Sequence, residues 1–232
     1  MLTGTLVNTI TVIIGSIIGL IIGKRIPERI GDAIMKALGL VTIFIGFKGM
    51  LDGKDPLITV LAMVSGAIIG EWLDIDKHFN KWAEKLNGKS ASKTGGKPVS
   101  QGFVTASLLF CVGAMSVVGS LQDGLSADHT ILFTKSAMDF TSSAILASAM
   151  GFGVTLAACS VLIYQGFIAV AANFIAPYLN DAAISEMTCT GSILIMALGF
   201  NILEMTKLKI MNYLPAIFMP ILIIWLKSLI FP

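Results

Sequence analysis

Residues Leu6–Ile22 read LVNTITVIIGSIIGLII, and this stretch decides the class of fold. A helix needs about 20 mostly apolar residues to cross the hydrocarbon core of a bilayer, and the stretch is close to that length. A cleaved signal peptide has a shorter apolar core with basic residues before it, whereas here Lys24 and Arg25 come after the run. The stretch therefore predicts a retained first membrane span.

The rest of the chain repeats this apolar pattern, which predicts an all-α, polytopic membrane protein with about eight transmembrane helices. Of the 232 residues, 55% are hydrophobic and 13% are charged, whereas a soluble domain is roughly 25% charged. The predicted spans are residues 3–23, 35–51, 56–72, 102–121, 133–150, 152–175, 187–205 and 212–230. The fifth is short and polar, so it either crosses fully or re-enters on the same side.

The distribution of basic residues predicts the side of each loop, because Lys and Arg are enriched in cytoplasmic loops. With both termini outside, twelve of the sixteen basic residues fall on the inner side. Without a crossing at residues 133–150, Lys207 and Lys209 would lie outside. The charge distribution therefore favours eight crossings with both termini outside.

One long connection divides this single membrane domain, residues 1–232, into parts. Residues 73–88 place apolar side chains on one face and lysines on another, which is typical of a helix in the inner membrane interface. The segment Gly88–Ser100, GKSASKTGGKPVS, has the composition of a flexible linker. No motif or aromatic context accompanies the lysines, so no nucleic-acid partner is predicted. The predicted parts are a front three-helix repeat (1–72), the interfacial helix and linker (73–101), a central helix pair (102–150) and a back three-helix repeat (151–232).

The front and back parts show a weak similarity at an offset near 150 residues. The matching positions are Pro27 with Pro177, Gly46-Phe47 with Gly199-Phe200, Leu61 with Leu214, and Trp72-Leu73 with Trp225-Leu226. Two crossings separate spans one to three from spans six to eight, so equivalent helices would run in opposite directions. Inverted repeats of this kind are common in secondary transporters, which bind substrate at the interface between repeats.

Glycines recur at four-residue spacing on two of the predicted helices. Gly15, Gly19 and Gly23 share a face of the first span, and Gly66 and Gly70 share a face of the third. Small residues let helix backbones approach closely in lipid. These faces pack either within the chain or between subunits, and the second alternative predicts a homo-oligomer.

Asp139 and Lys135 are the ionisable residues best placed for a site within a span. A charge near the bilayer centre costs at least about 2.5–3.5 kcal/mol, and intramembrane ionisable residues commonly mark transport pathways. Lys135 precedes Asp139 by one helical turn, close enough to pair, and the hydroxyls of Ser142 and Ser143 follow. The group is either a substrate or ion site or a structural ion pair that orients the helix.

Two amides add to the candidate binding residues. Gln165 lies at the centre of span six, where its amide needs a partner. It either joins the ion or substrate ligands or forms an interhelical hydrogen bond. Asn201 follows a Gly-Phe pair, as Lys48 does in the front repeat, and both lie near a predicted helix end.

The outer connection Gly119–Leu125, GSLQDGL, is predicted as a turn. Gln122 and Asp123 either only belong to this turn or form an outer gate, since loops beside rigid helices often carry function. The carboxylates of Glu71, Glu186 and Glu204 lie at predicted helix ends, where headgroup water can solvate them.

The chain lacks the sequence motifs of common enzyme classes, so no catalytic residue is predicted. It contains no HExxH, GxSxG, Walker loop or dinucleotide fingerprint. Its three cysteines lie in apolar stretches and are predicted to be packing residues. No metal or cofactor is predicted.

Three stretches resemble a known family: Cys111–Leu125 (CVGAMSVVGSLQDGL), Tyr164–Gly166 (YQG) and Asn212–Ala216 (NYLPA). They are similar to the YqgA and YdfK family of bacterial inner-membrane proteins of unknown function, and the similarity extends over nearly the whole chain. The resemblance implies a prokaryotic plasma membrane and, at most, a transporter. It implies no catalytic or binding residues.

Polar residues inside the predicted spans favour transport over a scaffold, which has no need of them. The sequence predicts a secondary transporter of a small solute or ion, coupled to a cation or a proton. The alternatives are an ion channel with a polar pore and a non-transporting membrane scaffold or sensor. In the transporter hypothesis Asp139 takes the coupling cation or proton, Lys135 biases its charge state, and Ser142, Ser143 and Gln165 supply neutral ligands.

Overall fold

The regular elements of the described chain are all helices. The computed structural model describes residues 2–23, 25–78, 81 and 99–230. Its main elements are α1 (Thr3–Gly23), α2 (Glu28–Met50), α3 (Pro56–Leu73), α4 (Val99–Cys111), α5 (Ala114–Leu125), α6 (Thr130–Met150), α7 (Gly153–Val170), α8 (Ala172–Ile175), α9 (Asp181–Ile202), a 3₁₀ helix (Ile210–Ile217) and α10 (Met219–Ile230). The predicted all-α class is confirmed.

Length and composition indicate which of these helices can cross a membrane. Six spans in the described chain are long and apolar enough, and the bent pair of α4 and α5 makes a seventh if it is counted as one. Large apolar side chains lie exposed on the outer faces, Trp72 by 85%, as expected for a surface that faces lipid. The protein is therefore a multi-pass membrane protein, and α6 is the long helix that composition alone does not identify as a span.

The packing of α6 indicates more directly than its composition whether this helix crosses the membrane. α1 and α6 form the most extensive helix pair of the protein. They run parallel, because Gly4 faces Leu132 near the start of α6 and Gly23 faces Ser148 near its end. A helix that matches a membrane span from end to end lies across the same thickness of bilayer. This pairing supports the crossing predicted for residues 133–150.

Two other helix pairs run antiparallel. Gly39 of α2 faces Leu203 at the end of α9, and Gly53, just after α2, faces Cys189 near its start. On α3, Gly66 faces Ala216 of the 3₁₀ helix. A chain that crosses the membrane eight times in alternation would give these helix directions. In an inverted repeat, equivalent helices would also run antiparallel to each other. The packing supports both the count of eight spans and the inverted repeat, and both stay predictions.

The glycine faces are covered within the chain. Gly15, Gly19 and Gly23 pack against the backbone of α6, and a Cβ on Gly19 would overlap the backbone of Ala144. Gly70 likewise packs against the backbone of Asn212. Of the two alternatives for these faces, contact within the chain is the one observed. The homo-oligomer stays a prediction that no longer rests on these glycines.

The predicted span 102–121 is a broken helix rather than a continuous one. α4 and α5 meet at a bend of 62°, and between them Gly113 has a φ of +131°, a conformation that side chains with a Cβ rarely adopt. The predicted turn at Gly119–Leu125 is wrong, because α5 continues as a helix to Leu125. Gly119 and Gly124 act there as close packing positions against α6 and α7.

The connection between the front and central parts is described only near its two ends. A left-handed Asp74, with φ 45°, ends α3, and residues 75–78 are helical. Apart from residue 81, the remainder of the predicted interfacial helix lies outside the described residues, as does most of the predicted linker. The division at 1–72, 73–101, 102–150 and 151–232 stays a prediction.

Candidate functional site

Five polar side chains from four helices form a hydrogen-bonded cluster between α1, α5, α6 and α7. The Lys135 ammonium donates to both carboxylate oxygens of Asp139, at 2.9 and 2.7 Å. Asn8 Nδ2 donates to Asp139 Oδ2 at 3.0 Å and to Gln165 Oε1 at 3.2 Å. Gln165 Nε2 donates to Ser116 Oγ at 3.0 Å. All five residues are buried within the bundle.

The cluster lies deep in the bundle. Since α6 begins at Thr130 rather than at residue 133, Asp139 is nine residues from its start, or about 14 Å at 1.5 Å per residue. That distance is close to half of a hydrocarbon core of about 30 Å. Asp139 is 5% exposed and Lys135 7% exposed. The ion pair predicted from the one-turn spacing is therefore present near the middle of the bundle.

A cavity of about 530 Å³ borders the ion pair. It lies between α2, the break of α4 and α5, α6 and α9. Its polar lining includes the side chains of Lys48, Asp52, Lys135, Asp139, Ser142 and Thr188. Lys48 and Asp52 are exposed near the end of α2 on the predicted outer side. The cavity thus connects the predicted outer face with the deep ion pair.

The break between α4 and α5 forms part of the same cavity wall. Gly113, Ala114 and Met115 line it, and the described residues supply no side-chain cap for this end of α5. The amino end of a helix carries partial positive charge from its aligned peptide dipoles. The cavity wall therefore presents the ammonium groups of Lys48 and Lys135 and a helix amino end, together with the carboxylates of Asp52 and Asp139.

Two smaller cavities lie beyond the break, toward the predicted inner side. Val112 borders both the polar cavity and an apolar cavity of about 290 Å³. Val104 and Met211 border both that apolar cavity and a more polar one of about 280 Å³, which Asn201 and Lys207 line. A series of cavities divided by apolar side chains thus follows the broken helix through the bundle.

The structure brings together most, but not all, of the predicted binding residues. Asp139, Lys135 and Ser142 line the polar cavity, and Gln165 joins the cluster beside it. Ser143 instead donates to Phe140 O at 2.9 Å and packs against α1. Asn201 lies near the opposite end of the bundle, where its amide donates to Leu208 O at 2.7 Å and accepts from Thr206 Oγ1 at 2.6 Å.

The two residues of the predicted outer gate differ in their surroundings. Gln122 is half-buried on α5, whereas Asp123 is fully buried. His129 Nδ1 lies 2.6 Å from Asp123 Oδ1. Thr5 N and Oγ1 each lie 3.4 Å from Asp123 Oδ2. Asp123 therefore connects the amino end of α1 to the connection before α6.

The neighbouring Asp128 has a different role from Asp123. It is exposed and accepts a hydrogen bond from Thr130 N at 3.0 Å, at the start of α6. This hydrogen bond to the backbone of Thr130 lowers the pKa of the Asp128 carboxyl. Asp128 is thus an exposed carboxylate just before α6, and Asp123 is the buried carboxylate of the pair.

Sequence reasoning missed two members of the cluster and one buried carboxylate. Asn8 and Ser116 are polar residues inside predicted membrane spans, and this position is the signal that could have identified them. Glu186 was expected in headgroup water, but it is 2% exposed. Its carboxylate accepts from the backbone N–H groups of Lys54 and Asp55 at 2.6 and 2.8 Å. Glu186 fixes the turn before α3 to α9, a contact that the sequence alone does not reveal.

Comparison with known proteins identifies relatives over nearly the whole chain. The family described as "Protein of unknown function (DUF554)" matches residues 3–225. The chain is 33% identical to the uncharacterized membrane protein YdfK of Bacillus subtilis (strain 168), over 96% of this chain and 95% of the relative. It is 29% identical to the uncharacterized protein YqgA of Escherichia coli (strain K12), over 97% and 98%. No solved structure matches this chain.

Proposed function

We propose that this chain, which belongs to the DUF554 family, is a secondary carrier that moves a small polar solute across the membrane by ion coupling. One observation carries the proposal. The Lys135–Asp139 pair forms part of the wall of a polar cavity that reaches from the predicted outer face to the middle of the bundle. A solute that enters this cavity meets a charge pair whose balance a coupling ion can change.

The energetic cost of the pair supports a functional role. Burying two charges costs several kcal/mol per ion, and a well-packed apolar pair is often at least as stable. Polar groups at membrane depth are expected only where protein or a water-filled cavity satisfies them. Here both conditions hold, because Asn8 and Lys135 satisfy the Asp139 carboxylate and the cavity borders it.

The geometry suggests how coupling works. The Lys135 ammonium donates both of its hydrogen bonds within the described chain to Asp139, so neutralising the carboxylate frees the ammonium to interact with a solute in the cavity. Binding of the coupling ion would then raise the affinity for the solute, and binding of the solute would raise the affinity for the ion by the same factor, as linkage requires. The break at Gly113 gives α4 and α5 a joint about which the two halves can rearrange, as in carriers with discontinuous helices.

The cavities favour a carrier over the channel alternative. A channel needs a continuous polar pathway. Here an apolar cavity lies between the two polar ones, and Val112, Val104 and Met211 form its borders with them. Alternating access would open the inner side only after the outer side has closed. A scaffold or sensor would not require the polar cavity at all.

The test is thermal stability in detergent against sodium, potassium, pH and a panel of small anions, amino acids and sugars. A ligand present at about 100 times its dissociation constant adds about 2.7 kcal/mol to the stability of the native state. We expect one class of solute to raise the melting temperature of the wild type and not of Asp139→Asn. Asp32→Asn, at an exposed position on α2, is the matched control and should respond like the wild type.

The opposite result has a clear meaning. If no solute stabilises the wild type, and Asp139→Asn is equally less stable under every condition, the pair is only structural and the scaffold alternative is favoured. A stabilising solute would next be tested for uptake into liposomes. Uptake that saturates and responds to an imposed ion gradient indicates a carrier, and unsaturable flux indicates a channel.

A further inference from the structure

A second buried polar pathway approaches Asp139 without passing through the solute cavity. His129 lies in the connection before α6, and its side chain is 24% exposed. Asp123 contacts it, and Thr5 of α1 lies next to Asp123. Asn8, one turn further along α1, bonds Asp139. None of His129, Asp123, Thr5 and Asn8 is among the residues that line the polar cavity.

Buried polar side chains lie on both α1 and α5 beside this pathway. On α1 the buried side chains include Thr5, Asn8 and Thr9, and on α5 they include Ser116 and Ser120. Asn8 Oδ1 is buried and has no hydrogen-bond donor among the described residues. A buried amide oxygen without a donor is unfavourable unless something donates to it. A hydrated proton that moves between Asp123 and Asp139 would supply that donor.

The surroundings of Asp139 favour a proton over a metal cation. The Lys135 ammonium contacts both carboxylate oxygens, and its positive charge would repel a second cation at the same oxygens. Ca²⁺, as an example of a hard cation, takes six to eight oxygen ligands. Here Asn8 presents its amide nitrogen, not its oxygen, to Asp139. Protonation needs only one lone pair of the carboxylate.

We propose that the coupling ion is a proton, and that it reaches Asp139 from the predicted outer face through His129, Asp123, Thr5 and Asn8. The inference rests on the proposed function, which supplies the reason for Asp139 to change protonation. An outer proton binds the His129 imidazole, passes to the Asp123 carboxylate, and then moves past Thr5 and Asn8 to form an O–H bond on Asp139. Because Asp139 gains this proton, the charge of the cavity rises by one.

Among the residues that the structure describes, few other charged or titratable groups lie around these carboxylates. Near Asp139 they are Lys135 on the same helix, the Cys111 thiol at the end of α4, and Lys48 and Asp52 across the cavity. α1 carries no titratable side chain. Near Asp123 they are His129 and the exposed Asp128. Asp123 is therefore the buried carboxylate between the outer surface and Asp139.

The experiment follows protonation of Asp139 by infrared spectroscopy of the full chain in lipid nanodiscs. The difference between wild type and Asp139→Asn identifies the carbonyl band of protonated Asp139, and a rapid drop in pH starts the reaction. We expect Asp123→Asn to slow the appearance of this band by about 100-fold, the low end of what a positioned acid–base group contributes. Asp128→Asn removes a neighbouring carboxylate that is exposed at the surface, and it should keep the wild-type rate.

The outcomes separate this inference from the proposed function. If the band of protonated Asp139 appears, and appears in Asp123→Asn at the wild-type rate, the proton route through Asp123 is wrong. Proton coupling at Asp139 would still be supported. If the wild type never shows the band, neither the route nor proton coupling holds. If Asp123→Asn does not fold, His129→Gln gives the same test at a partly exposed position, where slowing supports the route and an unchanged rate overturns it.

Discussion

A single amide, that of Asn8, holds three helices of the cluster together. Its nitrogen donates to Asp139 on α6 and to Gln165 on α7. Removing it leaves two buried acceptors with fewer donors, and an unsatisfied buried polar group costs about 1–3 kcal/mol. Asn8→Ala should therefore lower the melting temperature in detergent. Thr11→Ala is the control, because the Thr11 hydroxyl donates to Asn8 O of its own helix. This variant should change stability by no more than about 0.5 kcal/mol.

The Lys135–Asp139 pair makes a prediction about non-additivity. Breaking a buried pair by removing one partner costs about 3–5 kcal/mol, because the other charge is left unpaired, whereas replacing both can be nearly neutral. We expect Lys135→Met to be strongly destabilising and the double variant Lys135→Met with Asp139→Asn to recover much of that loss. Chemical denaturation of the three variants gives the coupling energy. Additive losses would mean that the two charges do not interact.

These two residues also mark how far sequence reasoning extends at this scale. The one-turn spacing of Lys135 and Asp139 is local, so their pairing could be predicted from one helix. The partners Asn8, Gln165 and Ser116 come from three other helices, and only tertiary packing brings them together. Glu186 was misassigned for the same reason, since the N–H groups that bind its carboxylate belong to a turn more than a hundred residues earlier.

At the scale of the helices, glycines set the distance between α1 and α6. A Cβ on Gly19 would overlap the backbone of Ala144, and backbone cannot move aside as a flexible side chain can. We expect Gly19→Ala to destabilise the protein by about 1–3 kcal/mol through overpacking. Gly31→Ala on α2 is the matched control, because a Cβ there meets nothing within 4 Å. That variant should gain about 0.5–1 kcal/mol, since alanine favours a helix over glycine.

Thermal melts of the two glycine variants give opposite signs if this packing is correct. A neutral Gly19→Ala would mean that α1 and α6 are farther apart than the structure has them. The glycine spacing predicted close packing, but it could not name the partner, because α6 is a remote and weakly apolar segment. The break at Gly113 was equally hidden, since its neighbours on both sides are apolar and a single glycine does not distinguish a bend from a close contact.

At the scale of the whole molecule, eight crossings with both termini outside predict the side of every loop. Single cysteines placed at Asp52, Ala127 and Asp181 should react from outside intact cells with a membrane-impermeant maleimide. Thr206→Cys should react only after the membrane is permeabilised. Replacing the three native cysteines removes the background. Labelling of Thr206→Cys from outside would mean that α6 does not cross, because every later loop would then change sides.

Periodicity and composition predicted the class of the architecture, a helical multi-pass membrane protein. The count of eight spans stays a prediction, because six or seven helices of the described chain are long and apolar enough to cross. Helix boundaries moved by a few residues, as with α6, which starts at Thr130 rather than 133, and α2, which starts at Glu28 rather than 35. The order of packing could not be predicted, because apolar helices carry little information about their neighbours. The cavity could not be predicted either, because it forms where packing brings the break at Gly113 beside α2, α6 and α9.

The pairing of α1 with α6 has a consequence for how the chain is made. The ribosome completes α1 long before α6, so during synthesis Asn8 and the glycine face of α1 lie in the bilayer without their partner. α6 carries Lys135, Asp139 and several hydroxyl side chains, and its most extensive contacts are with α1. With α6 crossing as predicted, we expect its insertion to depend on α1, and we expect a variant that weakens this pairing to act first on biogenesis.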